Sequence, residues 1–205
     1  MLFRSFDHGA LERMAAVSTV PVVNLLSDRA HPCQALADLL TIREHFGDLA
    51  GRRVAFVGDG NNVAASLAYA AALSGIELVV ASPEGFRLDE TVTDRARNLG
   101  GVVECTTDPH EAVRDADVVY TDVWTSMGQE DEQEHRRVAF TGFEVDEGLM
   151  AAAPATAVFM HCLPAHRGEE VSAPVIDGPR SLVWEQAANR MHSVRALLCD
   201  LVEAA

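Results

Sequence analysis

The sequence predicts an α/β protein: a doubly wound, Rossmann-like parallel sheet with helices on both faces, with residues to spare for part of another domain. Three observations predict it. From about residue 52 onward, short apolar and β-branched runs alternate with longer helical stretches. Glycine turns such as Gly58-Asp59-Gly60 and Ser74-Gly75 punctuate that alternation. The chain has 205 residues, 48% of them hydrophobic, enough for one sizeable core or for one domain with part of another.

The elements follow in order. Residues 20–25 read as a strand, and the first residues hold another. Residues 31–46 read as a helix, with Pro32 in its first turn and Gly47 past its end. Residues 53–57 form a buried strand, 62–73 a helix, 77–81 a strand, 91–99 a helix and 102–105 a strand. Asp108 caps a short helix over 109–114. Residues 117–121 and 157–161 are further strands, and 181–184 are a candidate for the last. Residues 189–203 close the chain as a helix, with Met191, Val194, Leu197, Leu198 and Leu201 on one stripe. The N-terminal strand has no evident partner within the alternating unit, which points to an element outside it.

Composition excludes several function classes. The formal net charge of -15 repels nucleic acid, and no basic cluster overrides it. An anionic substrate therefore needs positive groups gathered locally. No apolar run reaches the roughly 18 residues of a membrane span, and the N-terminus lacks a signal-peptide pattern, so the expected compartment is the cytoplasm. Cys33, Cys105, Cys162 and Cys199 are far apart, which argues against a disulfide framework or a closed zinc site.

Ligands of an open α/β sheet bind beyond the carboxyl ends of its strands. Three polar clusters fall at such ends: Asp59-Gly60-Asn61-Asn62, Asp122 with Trp124-Thr125-Ser126-Met127-Gly128, and His161-Cys162-Leu163-Pro164. Gly58-Asp59-Gly60 is a poor dinucleotide fingerprint, because the third glycine position holds Val63. It is either a tight turn, or a helix start at which Asn61 or Asn62 holds a carboxylate. His31 and Gln34, three residues apart at a helix start, suit an oxygen that gains negative charge, or else are a capping histidine and a surface amide. His161 and Cys162 are strand neighbours on opposite faces, so this histidine is badly placed to activate this cysteine, and nearby metal ligands are wanting. Asp122 either pairs with a substrate amine or caps a turn, Met127 is otherwise a core side chain, and the acidic run 130–134 reads as a solvated loop.

Together these clusters resemble the aspartate/ornithine carbamoyltransferase family, and within it the ornithine-specific members. The residues that carry the resemblance are His31-Pro32-Cys33-Gln34-Ala35-Leu36-Ala37-Asp38, Gly58-Asp59-Gly60-Asn61-Asn62, Asp122-Val123-Trp124-Thr125-Ser126-Met127-Gly128-Gln129-Glu130, His161-Cys162-Leu163-Pro164 and Glu185-Gln186-Ala187-Ala188-Asn189-Arg190. Leu25, where many members have glycine, is a small departure. The family's Ser-Thr-Arg-Thr phosphate-binding motif does not occur here. The resemblance therefore implies a C-terminal portion that lacks most of the carbamoyl-phosphate domain.

The resemblance implies transfer of a carbamoyl group from carbamoyl phosphate to the δ-amine of L-ornithine, with no cofactor and no metal. It implies that Asn62, Asp122, Ser126 and the backbone of Met127 hold ornithine. Cys162, as a thiolate or a thiol of depressed pKa, would accept the amine proton. His31 and Arg4 would stabilise the oxyanion, while Gln34, Leu163 and Arg190 orient the carbamoyl group beside Cys162. Residues 1–30 would be a remnant of the carbamoyl-phosphate domain, 31–188 the ornithine-binding domain, and 189–205 a helix that packs on the missing part. The partners implied are the two substrates, with a homo-oligomer or a complementing chain, and neither nucleic acid nor membrane. A non-catalytic amino-acid-binding remnant is the alternative, and a nucleotide-binding oxidoreductase domain is the reading from another class.

Overall fold

The computed structural model describes residues 1–125 and 130–203. At the N-terminus, β1 (Leu2–Arg4) and β2 (Val23–Leu26) pair in parallel across α1 (His8–Val17), which Asp7 caps through Gly9 N. This pair is a sheet of its own, so the partner that the sequence left unassigned to the N-terminal strand is β1. The strand begins at Val23 and not at Val20, because Val20 is exposed and Pro21 has no N–H to give to a ladder.

Helix α2 (Pro32–Phe46) leads into the main unit: β3 (Arg53–Val57), α3 (Asn62–Ser74), β4 (Glu77–Ala81), α4 (Glu90–Asn98), β5 (Val102–Thr106), α5 (Pro109–Val113) and β6 (Val118–Thr121). After a 3-10 turn (Glu130–Glu132) come α6 (Gln133–Ala139), α7 (Glu147–Ala152), β7 (Val158–His161), α8 (Ala173–Ile176) and α9 (Val183–Glu203). The five strands β3 to β7 form one parallel sheet in the order β5-β4-β3-β6-β7. The chain winds outward from β3 through β4 and β5, then returns to place β6 on the other side of β3. The carboxyl ends of β3 and β6 therefore flank the switch point, where this architecture leaves a crevice.

Alternation of side chains along each strand fills both faces. Val54, Phe56, Val118, Tyr120, Val158 and Met160 face the layer that contains Ile42 and Leu67. Ala55, Val57, Val119 and Phe159 face the layer of Phe140, Leu149, Met150 and Ile176. All are almost fully buried, and each large side chain contributes about 1.5–3 kcal/mol of transfer free energy.

Two expectations are corrected. Residues 181–184 are not a strand: a single bridge joins Ser181 to Phe159, and α9 starts at Val183 rather than Asn189. The run Trp184-Glu185-Gln186-Ala187-Ala188 is made mostly of good helix formers, so the chain turns into helix as soon as the bridge is made. The acidic run 130–134 is not simply a loop, since it supplies the 3-10 turn and the first turn of α6. On α9, Val183, Gln186 and Asn189 are buried, whereas Met191 is exposed and Val194, Leu197, Leu198 and Leu201 are only partly covered.

Candidate active site

The turn after β3 is held by glycine for a local reason. A Cβ at Gly60 would lie 2.2 Å from the backbone nitrogen of Leu88, and Gly60 N donates to Phe86 O. The close approach is made by the chain itself at residues 86–88, not by a pyrophosphate. Asn61 then caps α3, with its side-chain oxygen accepting from Val63 N and Ala64 N. Its amide nitrogen donates to Asp122 Oδ2 at 2.8 Å, across the crevice between β3 and β6.

Asp122 is 6% exposed and gathers three donors: Asn61 Nδ2, Val123 N at 2.8 Å and Cys162 Sγ at 2.9 Å. The thiol is thus a donor to a carboxylate. Burial, together with the Asp122 charge and this hydrogen bond, pushes the Cys162 thiol well above its ordinary range. A depressed cysteine pKa is therefore corrected: no cation touches Sγ, and the group beside it is an anion.

His161 makes no hydrogen bond to Cys162 and has other partners. Its Nδ1 accepts from Leu163 N at 2.8 Å, and its Nε2 lies 3.3 Å from Glu170 Oε1, with both side chains fully buried. Leu163 is thereby held at φ 58, the only non-glycine residue at positive φ among the described residues. Asp122, His161 and Cys162 offer potential ligand atoms within 4.8 Å of one another, closer than the sequence suggested. Those atoms are engaged: both imidazole nitrogens have partners, and Cys162 donates to Asp122.

The start of α2 lies beside this group. His31 is 4% exposed and Gln34 fully buried, which rules out the surface-amide reading. His31 N donates to Ser66 Oγ of α3 at 2.7 Å. Burial first, then the charges of Arg190 and Arg4, depress the His31 pKa to about 3, so its imidazole is neutral. Nδ1 of His31 is buried without a hydrogen-bond partner among the described residues, and Nε2 lies 3.4 Å from Arg190 Nη1. Arg190, on α9, also donates to Gln34 Oε1 at 2.6 Å. Arg190 and Arg4, and not the neutral His31, are thus the positive charges that this acidic chain brings to the spot.

The structure brings together His31, Gln34 and Arg190, and separately Asp122 and Cys162, with Leu163 next to Cys162. Asn62 is turned to the N-terminal unit, where its Nδ2 donates to Ser27 O at 2.6 Å. It is Asn61, not Asn62, that touches Asp122. Ser126 and Met127 lie outside the described residues. Sequence reasoning missed Asp38 and Arg136. Asp38 is four residues after Gln34, on the same helix face, and that spacing was the available signal. Arg136 is 6% exposed, donates to Asp59 Oδ2 at 2.6 Å, to Trp124 O at 2.9 Å and to Glu132 Oε2 at 3.1 Å, and stacks over Phe86.

Comparison with known proteins follows the same two-part division. Residues 50–201 match the aspartate/ornithine carbamoyltransferase Asp/Orn-binding domain, and residues 1–44 match the carbamoyl-P-binding domain of that family. An ornithine carbamoyltransferase of Acidothermus cellulolyticus is 54% identical over 209 residues, covering 100% of this chain and 67% of its own. One of Methanoculleus marisnigri is 52% identical, covering 98% of this chain and 65% of its own. The crystal structure of ornithine carbamoyltransferase from Thermus thermophilus superposes with a TM-score of 0.89 at 48% identity, over 98% of this chain and 65% of that one. The structure of the Pyrococcus furiosus enzyme gives 0.91 at 53% identity, over 96% and 64%. The chain therefore spans about 65% of the length of these relatives. With both family domains matched in register and the polar clusters gathered at the switch point of the sheet, the chain belongs to the aspartate/ornithine carbamoyltransferase family.

Proposed function

We propose that the protein carrying this chain transfers the carbamoyl group of carbamoyl phosphate to the δ-amine of L-ornithine, forming L-citrulline and phosphate. The observation that carries this reading is the convergence of neutral His31, Gln34 and Arg190 beside an Asp122–Cys162 pair, in a chain about half identical to named ornithine carbamoyltransferases.

In this reading Asn62, Asp122, Ser126 and Met127 hold the amino-acid end of ornithine, and Asn61 joins them through Asp122. His31 donates a hydrogen bond from its neutral ring to the carbamoyl oxygen as that oxygen gains charge, and Arg4 and Arg190 supply the positive field. Gln34 Oε1 and the carbonyl of Leu163 are acceptors for the carbamoyl NH2, which fixes the plane of the group before attack.

The attacking amine must lose a proton. Because Sγ of Cys162 already donates to Asp122, the proton moves in two linked transfers. The δ-ammonium passes a proton to Sγ as Sγ–H passes its own to Asp122 Oδ1, leaving a neutral amine, a neutral thiol and a neutral carboxyl. The δ-nitrogen then forms its bond to the carbamoyl carbon as the bond to the phosphate oxygen breaks, and the proton that the nitrogen sheds on forming that bond leaves on the departing phosphate.

Residues 1–30 are assigned to the carbamoyl-phosphate half, 31–188 to the ornithine half, and 189–205 to a helix that packs on the former. The changeover between the two family matches lies further on, at 45–49, which would give α2 to the carbamoyl-phosphate side. A cytoplasmic enzyme assembled as a homo-oligomer, or with a chain that completes the carbamoyl-phosphate domain, accords with this reading. No described helix is long and apolar enough to cross a membrane.

The experiment is citrulline formation by the purified chain from carbamoyl phosphate and ornithine, beside Cys162→Ala. Activity that disappears in the variant supports the reading. Ornithine binding without citrulline supports an amino-acid-binding half-site, and binding of neither substrate overturns both.

A further inference from the structure

Beneath the start of α2 lies a buried carboxylate that the proposed chemistry does not use. Asp38 is fully buried and accepts from Gln34 Nε2 and Gln186 Nε2, each at 2.7 Å, and from the Tyr120 hydroxyl at 3.3 Å. Each amide has its oxygen engaged on its other side. Gln34 Oε1 accepts from Arg190 Nη1 at 2.6 Å, and Gln186 Oε1 accepts from the backbone N–H of His161 at 2.9 Å.

Guanidinium and backbone N–H groups only donate, so both amides must turn their oxygens outward. Their NH2 groups then meet at one shared acceptor, Asp38 Oδ1, and Gln186 Nε2 also donates to the Tyr120 hydroxyl at 3.1 Å. We propose that Asp38 is a positioning residue, which locks the amides of Gln34 and Gln186 in one orientation and so presents Gln34 Oε1 to Arg190 and the carbamoyl site while tying α9 to the end of β7. An asparagine could keep its Oδ1 toward both amides, so the discriminating change is Asp38→Leu, which removes the shared acceptor of both NH2 groups. The proposal rests on the carbamoyl-phosphate reading only for what Gln34 faces; the lock itself does not depend on it.

The chain has four glutamines, which makes the test tractable. With 15N-glutamine labelling, the side-chain amide protons of Gln34 and Gln186 should exchange with solvent on the order of a hundredfold more slowly than those of exposed Gln133. In Asp38→Leu both protections should fall together, with circular dichroism unchanged. Calorimetric affinity for carbamoyl phosphate should fall about tenfold, the scale of one lost charge-assisted hydrogen bond.

In the wild-type chain, which needs no variant to fold, the two amide pairs should shift together with one midpoint as Asp38 titrates. The other charged or titratable groups facing this cluster are His31 and Arg190 toward Gln34, and Tyr120, Asp122 and Cys162 from the ends of β6 and β7. Burial places Asp38 apart from the neutral His31, the phenol and the thiol, whose shifts lie far from it. Amide protections that persist in a folded Asp38→Leu, or wild-type midpoints that differ between the two glutamines, overturn the lock. Loosened amides with unchanged carbamoyl phosphate affinity overturn its role in positioning. If the wild type does not bind carbamoyl phosphate, the functional reading fails, and the amide measurements still decide on the lock.

Discussion

The thiol of Cys162 donates to the carboxylate of Asp122 in a hydrogen bond of 2.9 Å, while the imidazole of neighbouring His161 is engaged by Leu163 and Glu170. This pairing reverses the usual relation of a reactive cysteine to its neighbours, in which a cation or a helix start favours the thiolate. Replacing the anion should release the thiol. In Asp122→Asn, alkylation of Cys162 by iodoacetamide should rise about tenfold at pH 8 and its midpoint should move down, followed by peptide mass spectrometry beside exposed Cys105 and Cys199. Unchanged labelling of Cys162 would show that burial alone sets its reactivity.

Asp38 makes stability depend on pH. Burial raises its pKa from 3.8 to about 7 in the folded chain, opposed by the hydrogen bonds from Gln34, Gln186 and Tyr120. Between those values the folded state holds a proton that the unfolded state has released, so stability falls as pH rises from about 4 to about 7, by at most ~1.4 kcal/mol per unit. His31 acts oppositely: its folded pKa of about 3 lies below 6.5, so stability rises with pH across that window. Urea denaturation of wild type and Asp38→Asn over pH 4 to 8 separates the two. The difference should move in favour of the variant up to about pH 7 and then level off. A pH-independent difference would contradict the burial of a titrating carboxyl.

Arg136 and Asp59 form a buried pair at 2.6 Å. Removing one partner strands the other, so Arg136→Met should cost about 3–5 kcal/mol in urea denaturation. The double variant Asp59→Asn, Arg136→Met should recover much of that loss, since no buried charge then remains unpaired.

Gly60→Ala tests the reading of the turn after β3. A methyl there meets the backbone at Arg87 and Leu88, which cannot swing aside as a side chain could. A loss of about 1–3 kcal/mol, or more, is expected in thermal or urea unfolding. Gly47→Ala is the comparison: its site is open, and its φ of +87 makes the cost one of backbone strain alone.

The sheet was legible because its strands are short β-branched runs ended by glycine or by polar clusters, so β3 to β6 fall within a residue or so of their expected places. The helices α1, α6, α7 and α8 were not, being short and held by caps and by packing that no local pattern announces. At the site, spacing alone put His31 and Gln34 on one face, but their burial depends on α9 and on Arg190, 156 residues further along than Gln34. Asp38 reads as an ordinary helix acid until Tyr120 and Gln186 are seen to close over it. Asn61 and Asn62 are neighbours with opposite allegiances, and only the cap geometry of α3 decides which one reaches Asp122.

Arg136 grips Trp124 O before the segment 126–129 and Glu132 after it, while anchored on Asp59 at the end of β3. One guanidinium thus moors the chain just past β6 and the chain just before α6 to a single point on the scaffold. Losing that one side chain would therefore release both stretches together rather than one at a time.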